Sequence, residues 1–133
     1  MTYLIDTQVL IWFQTLDSRL KPTTYKLLTD LQNEIWVSQV SLFEIAIKQK
    51  LNKLPEFDLP LGRVIEFTEK DGIGILRIAN SHIAAYDNLP LLPNHRDPFD
   101  RLILATALAE NLPVISSDRN FRLYVPQIQL IEA

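Results

Sequence analysis

The feature that most constrains the fold of this chain is the alternation of short apolar runs with segments of helical periodicity. Residues 3–5 form an apolar run typical of a buried strand, and residues 9–16 follow with helical apolar spacing. Residues 35–37 are a second run, rich in strand-forming residues, and residues 41–53 again follow with helical spacing. Strands that alternate with helices in this way predict an α/β fold with a mostly parallel sheet, covered by helices on both faces.

Proline, glycine and capping residues divide the rest of the chain into further elements. Pro22 precedes a predicted helix over 23–31, and Asp71 and Gly72 end a predicted helix over 61–70. The other predicted elements are a helix over 81–88 capped by Ser81, a helix that starts at 98, strands over 75–78, 114–116 and 128–131, and loops over 54–60 and 89–96. Because 133 residues without a repeat or linker are the size of one domain, we predict a single three-layer α/β/α domain over 1–133.

The composition excludes several classes of site. The chain has no cysteine, so disulfides, thiolate metal sites and a cysteine nucleophile are all excluded. The formal net charge of -3 argues against a surface that holds nucleic acid by bulk electrostatics. The start of the chain lacks a basic region before an apolar run, and no apolar run approaches the ~18 residues of a membrane span. We therefore expect a soluble, unprocessed cytoplasmic protein with no membrane partner.

Carboxylates recur just after the predicted strands. Asp6 ends the first strand, Glu44 lies in the first turn of the helix after the second, and Asp118 follows the fourth. Asp97 and Asp100 open the last long helix. In open parallel α/β sheets, ligands bind beyond the carboxyl ends of the strands. The acids therefore recur at the edge of the sheet where a site is expected.

Most of these acids also have a purely structural interpretation. Glu44 fits a capping box with Ser41. Asp97 fits the N-cap of its helix, and Asp118 fits a cap of the turn that follows it. Asp6 is the hardest to explain in this way, since it directly follows an apolar strand and burying an unpaired carboxylate is costly.

Taken together, the acids predict a cation site. Several carboxylates in one place repel one another and raise each other's pKa values, so a fold that collects them needs a cation to offset the repulsion. Oxygen ligands without cysteine or paired histidines suit Mg²⁺ or Mn²⁺ rather than zinc. We therefore predict that Asp100 contributes to a metal site at the sheet edge, while Asp97 mainly caps its helix.

Four segments of the chain resemble those of the PIN-domain ribonucleases, and more closely those of the VapC-type toxins of bacterial toxin–antitoxin pairs. The segments are LIDTQVLIW, SLFEIAIKQKLNKL, HRDPFDRLILATAL and VISSDRNF, and their order and spacing span nearly the whole chain. Each segment alone is a weak signal, but the four together are specific. The resemblance implies a three-layer PIN fold and endonuclease activity on RNA that depends on Mg²⁺ or Mn²⁺.

The resemblance also implies the site residues and the partners. The family's acids, which are the catalytic and metal-binding set, fall on Asp6, Glu44, Asp100 and Asp118. The positions of polar supports fall on Thr7 and on Ser116 or Ser117, while Gln8 departs from the asparagine or histidine often found there. Such toxins typically act as homodimers and are inhibited by an antitoxin. The implied partners are therefore an RNA substrate, a cognate antitoxin and a second copy of the chain.

A site rich in carboxylates must still receive a polyanion, so basic side chains near the acids are expected to contact RNA phosphates. Arg101 is the favoured contact, and Lys48 and Arg119 are further candidates. The alternative for Lys48 is a helix pair with Glu44, four residues earlier. Surface or loop positions are predicted for the two histidines and core positions for two tryptophans: His82, His95, Trp12 and Trp36.

Two other enzyme-like classes fit less well, and one alternative stays open. An aspartyl-phosphate phosphatase needs a second acid two residues after the first, and that position is Gln8 here. A signalling receiver domain would have paired acids after the first strand and a lysine after the last, and the sequence shows neither. The open alternative is a catalytically inactive PIN-like module that binds RNA or a protein partner and uses its acids as helix caps.

Overall fold

Five parallel strands form the central layer of the molecule, which a computed structural model describes over all residues 1–133. The strands are β1 (Thr2–Ile5), β2 (Glu34–Ser38), β3 (Gly74–Leu76), β4 (Val114–Ser116) and β5 (Leu130–Glu132). Their order across the sheet is β3-β2-β1-β4-β5, and every neighbouring pair is parallel. The predicted parallel α/β sheet is therefore confirmed.

Six α-helices and two short 3₁₀ helices surround the sheet. They are α1 (Thr7–Thr15), α2 (Pro22–Thr29), α3 (Gln39–Lys50), α4 (Leu61–Lys70), α5 (Asn80–Ala85), α6 (Pro98–Glu110) and the 3₁₀ helices Tyr86–Asn88 and Arg119–Tyr124. No helix is long and apolar enough to cross a membrane.

The hydrophobic core is divided between the two faces of the sheet. Successive side chains of a strand point to opposite faces. In β1, Tyr3 and Ile5 accordingly pack with residues of α1 to α4, whereas Leu4 packs with residues of α5 and α6 on the other face. The helices of each face bury apolar residues against the strands, so the predicted three-layer α/β/α arrangement is confirmed.

The strand order places one edge of the sheet at a topological switch point. The chain runs outward from β1 through β2 to β3, and β4 and β5 then lie on the opposite side of β1. Beyond the carboxyl ends of such strands the outgoing loops diverge and leave a crevice. Asp6 directly follows β1, α3 directly follows β2, and Ser117 directly follows β4. The three central strands therefore deliver residues to one crevice.

The start of α3 differs from the prediction. The helix begins at Gln39, and Ser38 is its N-cap, with the Ser38 hydroxyl accepting a hydrogen bond from the Val40 amide at 3.1 Å. The predicted capping box of Ser41 and Glu44 is therefore wrong, because the cap lies three residues earlier. Glu44 consequently lies in the second turn of the helix and not in the first.

The start of α5 and the environment of His82 also differ from the prediction. The N-cap is Ala79 and not Ser81, because Nδ1 of His82 accepts the hydrogen bond from the Ala79 amide at 3.1 Å. His82 is buried, and its Nε2 atom lies 2.7 Å from Glu110 Oε1 on α6. The histidine joins α5 to α6, so its predicted surface or loop position is wrong.

Two further expectations are corrected by local packing. Ile128 is buried and its amide donates to the Tyr124 carbonyl at 3.0 Å, so the last strand starts only at Leu130. The third strand starts at Gly74, one residue before the predicted position. A Cβ at Gly74 would lie 2.5 Å from Cε3 of Trp36, so the glycine allows the Trp36 ring to lie against β3.

Candidate metal centre

Asp6 is held between the first helix and the fourth strand. It is the N-cap of α1, with Oδ1 accepting from the Val9 amide at 2.8 Å, while the Ser116 hydroxyl donates to Oδ2. Burial raises the pKa of Asp6 to about 6 against the opposing effect of these two hydrogen bonds, and repulsion from Asp118 and Glu44 raises it further. Asp6 is therefore a helix cap, but its burial makes the charged form of the carboxylate unfavourable. A capping role alone does not explain why a carboxylate is buried here.

Glu44 reaches the same crevice from α3 and is held by two neighbours. The Thr7 hydroxyl donates to Glu44 Oε1 at 2.7 Å and lies 2.9 Å from the Ser41 hydroxyl oxygen. Oε2 of Glu44 forms an ion pair of 2.7 Å with the Lys48 ammonium one turn later. Burial lowers the pKa of Lys48, but the hydrogen bond to Glu44 and the nearby acids outweigh burial and raise it. The expected helix pair of Glu44 and Lys48 is therefore present.

Asp97 and Asp100 enter the crevice from the start of α6. Asp97 caps the helix as predicted, with Oδ1 accepting from the amides of Phe99 at 2.8 Å and Asp100 at 3.3 Å. Oδ2 of Asp100 lies 3.2 Å from Nε2 of His95. Burial, followed by repulsion from Asp97 and the other acids, raises the pKa of Asp100 to about 8. Because the charged form of Asp100 is unfavourable here, any cation that enters the crevice stabilises it.

Asp118 and the two serines before it follow β4. The Asp118 amide donates to the Ser116 hydroxyl oxygen at 3.0 Å, and Oδ1 of Asp118 accepts from the Asn120 amide at 2.9 Å. Asp118 therefore caps the 3₁₀ helix that follows, as the structural interpretation expected, and its carboxylate also lines the crevice. Ser117 lines the crevice as well, whereas Ser116 acts through its bond to Asp6.

The four predicted acids and Asp97 line one open pocket of about 500 Å³. Its charged lining consists of five carboxylates and one ammonium group: Asp6, Glu44, Asp97, Asp100, Asp118 and Lys48. Behind its wall, a ring nitrogen of the buried His95 lies close to two of these acids: the nitrogen and one carboxylate oxygen each of Asp100 and Asp118 lie within 4.8 Å of one another. Hard oxygen donors with unbalanced negative charge fit a divalent cation such as Mg²⁺ or Mn²⁺.

The fold buries two side chains next to the acids, and the predicted RNA contact of one of them is wrong. Arg101 is 1% exposed, and its guanidinium is bonded to Tyr86, Pro90 and Tyr124, so it is not placed to contact an RNA phosphate. His95 lies in the loop before α6, as the predicted surface or loop position allows, although its side chain is only 4% exposed. The spacing of residues in the sequence does not indicate that either side chain is buried.

Arg119 and Lys48 remain available at the surface. Arg119 is exposed at the start of the second 3₁₀ helix, next to Asp118. Trp12 is only partly buried: it packs against the core but also lines the acidic pocket, and the guanidinium carbon of Arg19 lies 5.2 Å from the centre of its ring. The core position predicted for Trp12 is therefore only half correct.

The raised pKa values predict how stability depends on pH in the absence of metal. In the folded protein, the pKa values of Asp6 and Asp100 are raised to about 6 and about 8, whereas in the unfolded chain both groups lose their protons near the ordinary aspartate pKa of 3.8. The folded state therefore binds more protons between about pH 4 and about pH 8, and these two groups make the free energy of unfolding fall as the pH rises. Urea unfolding in EDTA at pH 5, 6.5 and 8 measures this dependence.

The matched variant for that measurement is Asp100→Asn, which cannot titrate at position 100. It is expected to flatten the dependence between pH 6 and pH 8 and to leave the part below pH 6 that belongs to Asp6. Equal slopes in the wild-type protein and the variant over the upper range would contradict a raised pKa at Asp100.

A family model agrees with this architecture. The model described as "PIN domain" matches residues 3–125, which is nearly the whole chain and includes all four predicted acids. No curated protein matches the sequence.

Solved structures share the fold at low sequence identity. VapBC2 from Rickettsia felis, bound to a DNA fragment from its promoter, gives a TM-score of 0.74 at 18% identity, over 99% of this chain and 98% of the other. VapBC-1 from nontypeable Haemophilus influenzae gives 0.69 at 14%, and VapBC-5 from Mycobacterium tuberculosis gives 0.66 at 19%, both with the same coverage. At these identities the likeness concerns the fold.

Proposed function

This chain belongs to the PIN domain family, and we propose that it is a Mg²⁺- or Mn²⁺-dependent endoribonuclease, the toxin of a toxin–antitoxin pair. The observation that carries the proposal is the excess of carboxylates in the pocket at the sheet edge, where two acids have pKa values raised by burial and mutual repulsion. A fold that only needed helix caps would not gather this uncompensated charge from three strand ends.

Four acids are proposed to hold the cation: Asp6, Glu44, Asp100 and Asp118. When bound, a divalent cation polarises the phosphate and lowers the pKa of its water ligand. The chain orients these acids in advance, since Ser116 bonds to Asp6 and Thr7 bonds to Glu44. Because Mg²⁺ usually takes only one or two carboxylates directly, some of the acids act through water. Ser117 is proposed as a further polar support at the pocket wall.

The substrate contacts proposed for RNA are Lys48 and Arg119, which are placed beside the acids and reach solvent. The Lys48 side chain is 41% exposed and lines the pocket, although its ammonium also pairs with Glu44. Arg119 is exposed next to Asp118. Both are point contacts to phosphate oxygens, which position a nucleic acid but do not read its bases.

The proposed partners are a cognate antitoxin and a second copy of the chain. The support for the antitoxin is that VapBC-5 from Mycobacterium tuberculosis, which has a similar fold, is a member of the VapBC family of toxin–antitoxin systems. The homodimer rests on the family resemblance of the sequence. The proposed place of action is the cytoplasm, which agrees with an RNA substrate. A chain without cysteine is compatible with the reducing conditions there.

The test of the proposed function is an RNA cleavage assay on mixed structured and single-stranded RNA, with Mg²⁺, Mn²⁺ or EDTA. Wild-type protein is expected to cut only with metal, and Asp6→Asn is expected to abolish cleavage while the protein stays folded, since asparagine also caps a helix. A matched control is Asp30→Asn, because Asp30 is exposed and forms only a local turn with Gln32. This control is expected to cut at the wild-type rate.

The same assay separates the nuclease from the alternative, an inactive module that binds RNA or a protein. If the wild-type protein and Asp6→Asn both fail to cut with every metal, while both bind RNA equally, the acids are mostly helix caps and the module is the better description. Cleavage that persists in Asp6→Asn or in EDTA would reject the proposed site.

A further inference from the structure

A buried chain of hydrogen bonds leads from the interior of the protein to Asp100. The guanidinium Nη1 of Arg101 lies 3.1 Å from the Tyr124 hydroxyl oxygen, and that oxygen lies 2.7 Å from Nδ1 of His95. Nε2 of His95 in turn lies 3.2 Å from Oδ2 of Asp100. The first three members of this chain do not line the acidic pocket, whereas Asp100 does.

The chemistry of these groups gives the chain one direction. A guanidinium only donates hydrogen bonds, so the Tyr124 oxygen must accept from Arg101. The hydroxyl hydrogen of Tyr124 then has Nδ1 of His95 as its acceptor, which assigns the tautomer with the proton on Nε2. Nε2–H of His95 therefore donates to Asp100. In this tautomer Nε2 has no free lone pair for a metal ion.

Packing holds every member of the chain in place. Arg101, Tyr124 and His95 are all buried, and the guanidinium also donates to the Tyr86 hydroxyl at 2.9 Å and the Pro90 carbonyl at 2.8 Å. The His95 ring lies edge-on to the Phe121 and Tyr124 rings, with centres 5.9 and 5.5 Å away. The imidazole therefore has little freedom to turn away from Asp100.

We propose that His95 is a positioning residue of the acidic site, the last donor of a chain that starts at Arg101 and fixes the orientation of the Asp100 carboxylate. Nε2–H of His95 donates to Oδ2 of Asp100, and no group in this chain of hydrogen bonds donates to Oδ1. This proposal rests on the proposed function, because the fixed orientation of the Asp100 carboxylate serves to bind the proposed cation. It excludes His95 from the metal ligands, although the ring lies close enough to Asp100 and Asp118 to be mistaken for one.

Two neutral substitutions of His95 distinguish the roles of its two ring nitrogens. The amide nitrogen of His95→Gln can take the place of Nε2 and donate to Asp100, while the shorter His95→Asn reaches only the place of Nδ1, beside Tyr124. The measurement is the dissociation constant of Mn²⁺ by titration calorimetry without RNA, with urea unfolding for stability. Groups that orient metal ligands typically change metal affinity by about 10- to 100-fold. We expect His95→Asn to weaken Mn²⁺ binding by about tenfold or more and His95→Gln by less than about threefold.

The kinetic readout is the division between kcat and KM in the cleavage assay. His95→Asn is expected to lower kcat at a fixed Mn²⁺ concentration with little change in KM for RNA, and His95→Gln to restore most of kcat. Should the Gln variant lose Mn²⁺ affinity as strongly as the Asn variant, the ring nitrogen is itself a ligand and the proposal is wrong. Wild-type affinity in both variants also overturns it.

Two further results keep the test decisive. If either histidine variant does not fold, Tyr124→Phe removes the hydroxyl that assigns the tautomer, two links from Asp100, and is expected to weaken Mn²⁺ binding by a few fold; unchanged affinity there overturns the proposal. A wild-type protein that binds no Mn²⁺ overturns it whether or not RNA is cut. Wild-type protein that binds Mn²⁺ but cuts no RNA rejects only the proposed function, because the Gln and Asn comparison still decides the role of His95.

Discussion

Asp100→Asn is expected to lower the rate of RNA cleavage by a factor on the order of 10³ or more. A bound cation supplies several kcal/mol of charge stabilisation to the transition state, and several kcal/mol correspond to about this factor in rate. Asparagine keeps the size of Asp100 and can still accept from His95, but it lacks the charge that attracts a cation. The Mn²⁺-induced rise in Tm is expected to be lost as well, since a ligand stabilises a fold only through binding.

The same substitution is expected to stabilise the protein in EDTA near pH 8. Burial and the neighbouring acids make the charged form of Asp100 unfavourable in the folded state, and a neutral amide removes this cost. If the wild-type protein is active but less stable, and Asp100→Asn is inactive but more stable, the role of Asp100 is not purely structural. Urea unfolding with and without Mn²⁺ measures both effects in one series.

The matched control is Asp97→Asn, at the start of the same helix. Asparagine caps a helix about as well as aspartate, so the bonds to the amides of Phe99 and Asp100 are retained. We expect cleavage within a few fold of wild type. A complete loss of cleavage in Asp97→Asn would make this residue part of the catalytic set, and full activity in Asp100→Asn would remove Asp100 from it.

Arg101→Ala is expected to lower the free energy of unfolding by about 3 kcal/mol or more. The substitution removes three hydrogen bonds from a buried guanidinium and leaves Tyr86, Pro90 and Tyr124 without their donor. Hydrogen bonds to charged groups contribute about 1.5–3 kcal/mol each, and unsatisfied buried acceptors add a desolvation cost. It also removes the contact of the guanidinium with the Tyr86 ring, whose centre lies 4.7 Å away.

The control is Arg119→Ala, which removes an exposed arginine next to Asp118. Its effect on the free energy of unfolding is expected within about 0.5 kcal/mol, as for most surface substitutions, while its KM for RNA is expected to rise. If Arg101→Ala unfolds in urea like the wild-type protein and instead raises KM, Arg101 is a substrate contact and not a buried structural residue.

The fold class and the set of acids could be predicted because each depends on local patterns. Strand and helix periods are visible within windows of ten to fifteen residues, and the helix over 61–70 is found with the predicted bounds. Asp6 follows β1 directly and Asp118 lies two residues after the end of β4, so a parallel sheet necessarily brings them to the same edge. Asp97 and its helix start were equally predictable, because a cap is a local interaction.

The cap of α3 was predicted less well, because residues outside the four-residue motif compete for its groups. Ser41 has the spacing of a capping residue toward Glu44, but Ser38 already satisfies the start of α3. Glu44 is engaged by Thr7, 37 residues earlier in the chain, and by Lys48. A motif of four residues cannot show whether a distant hydroxyl will take the carboxylate first.

By itself, the sequence determined that this chain forms a parallel α/β sandwich and that its acids meet beyond the carboxyl ends of the strands. Only the tertiary structure decided which polar side chains support these acids and which are buried. Ser116 meets Asp6 across 110 residues, and Tyr124 meets His95 across 29. The physical reason is that helix and strand patterns arise between near neighbours, whereas burial and hydrogen-bond partners depend on which distant segments the packed core brings together.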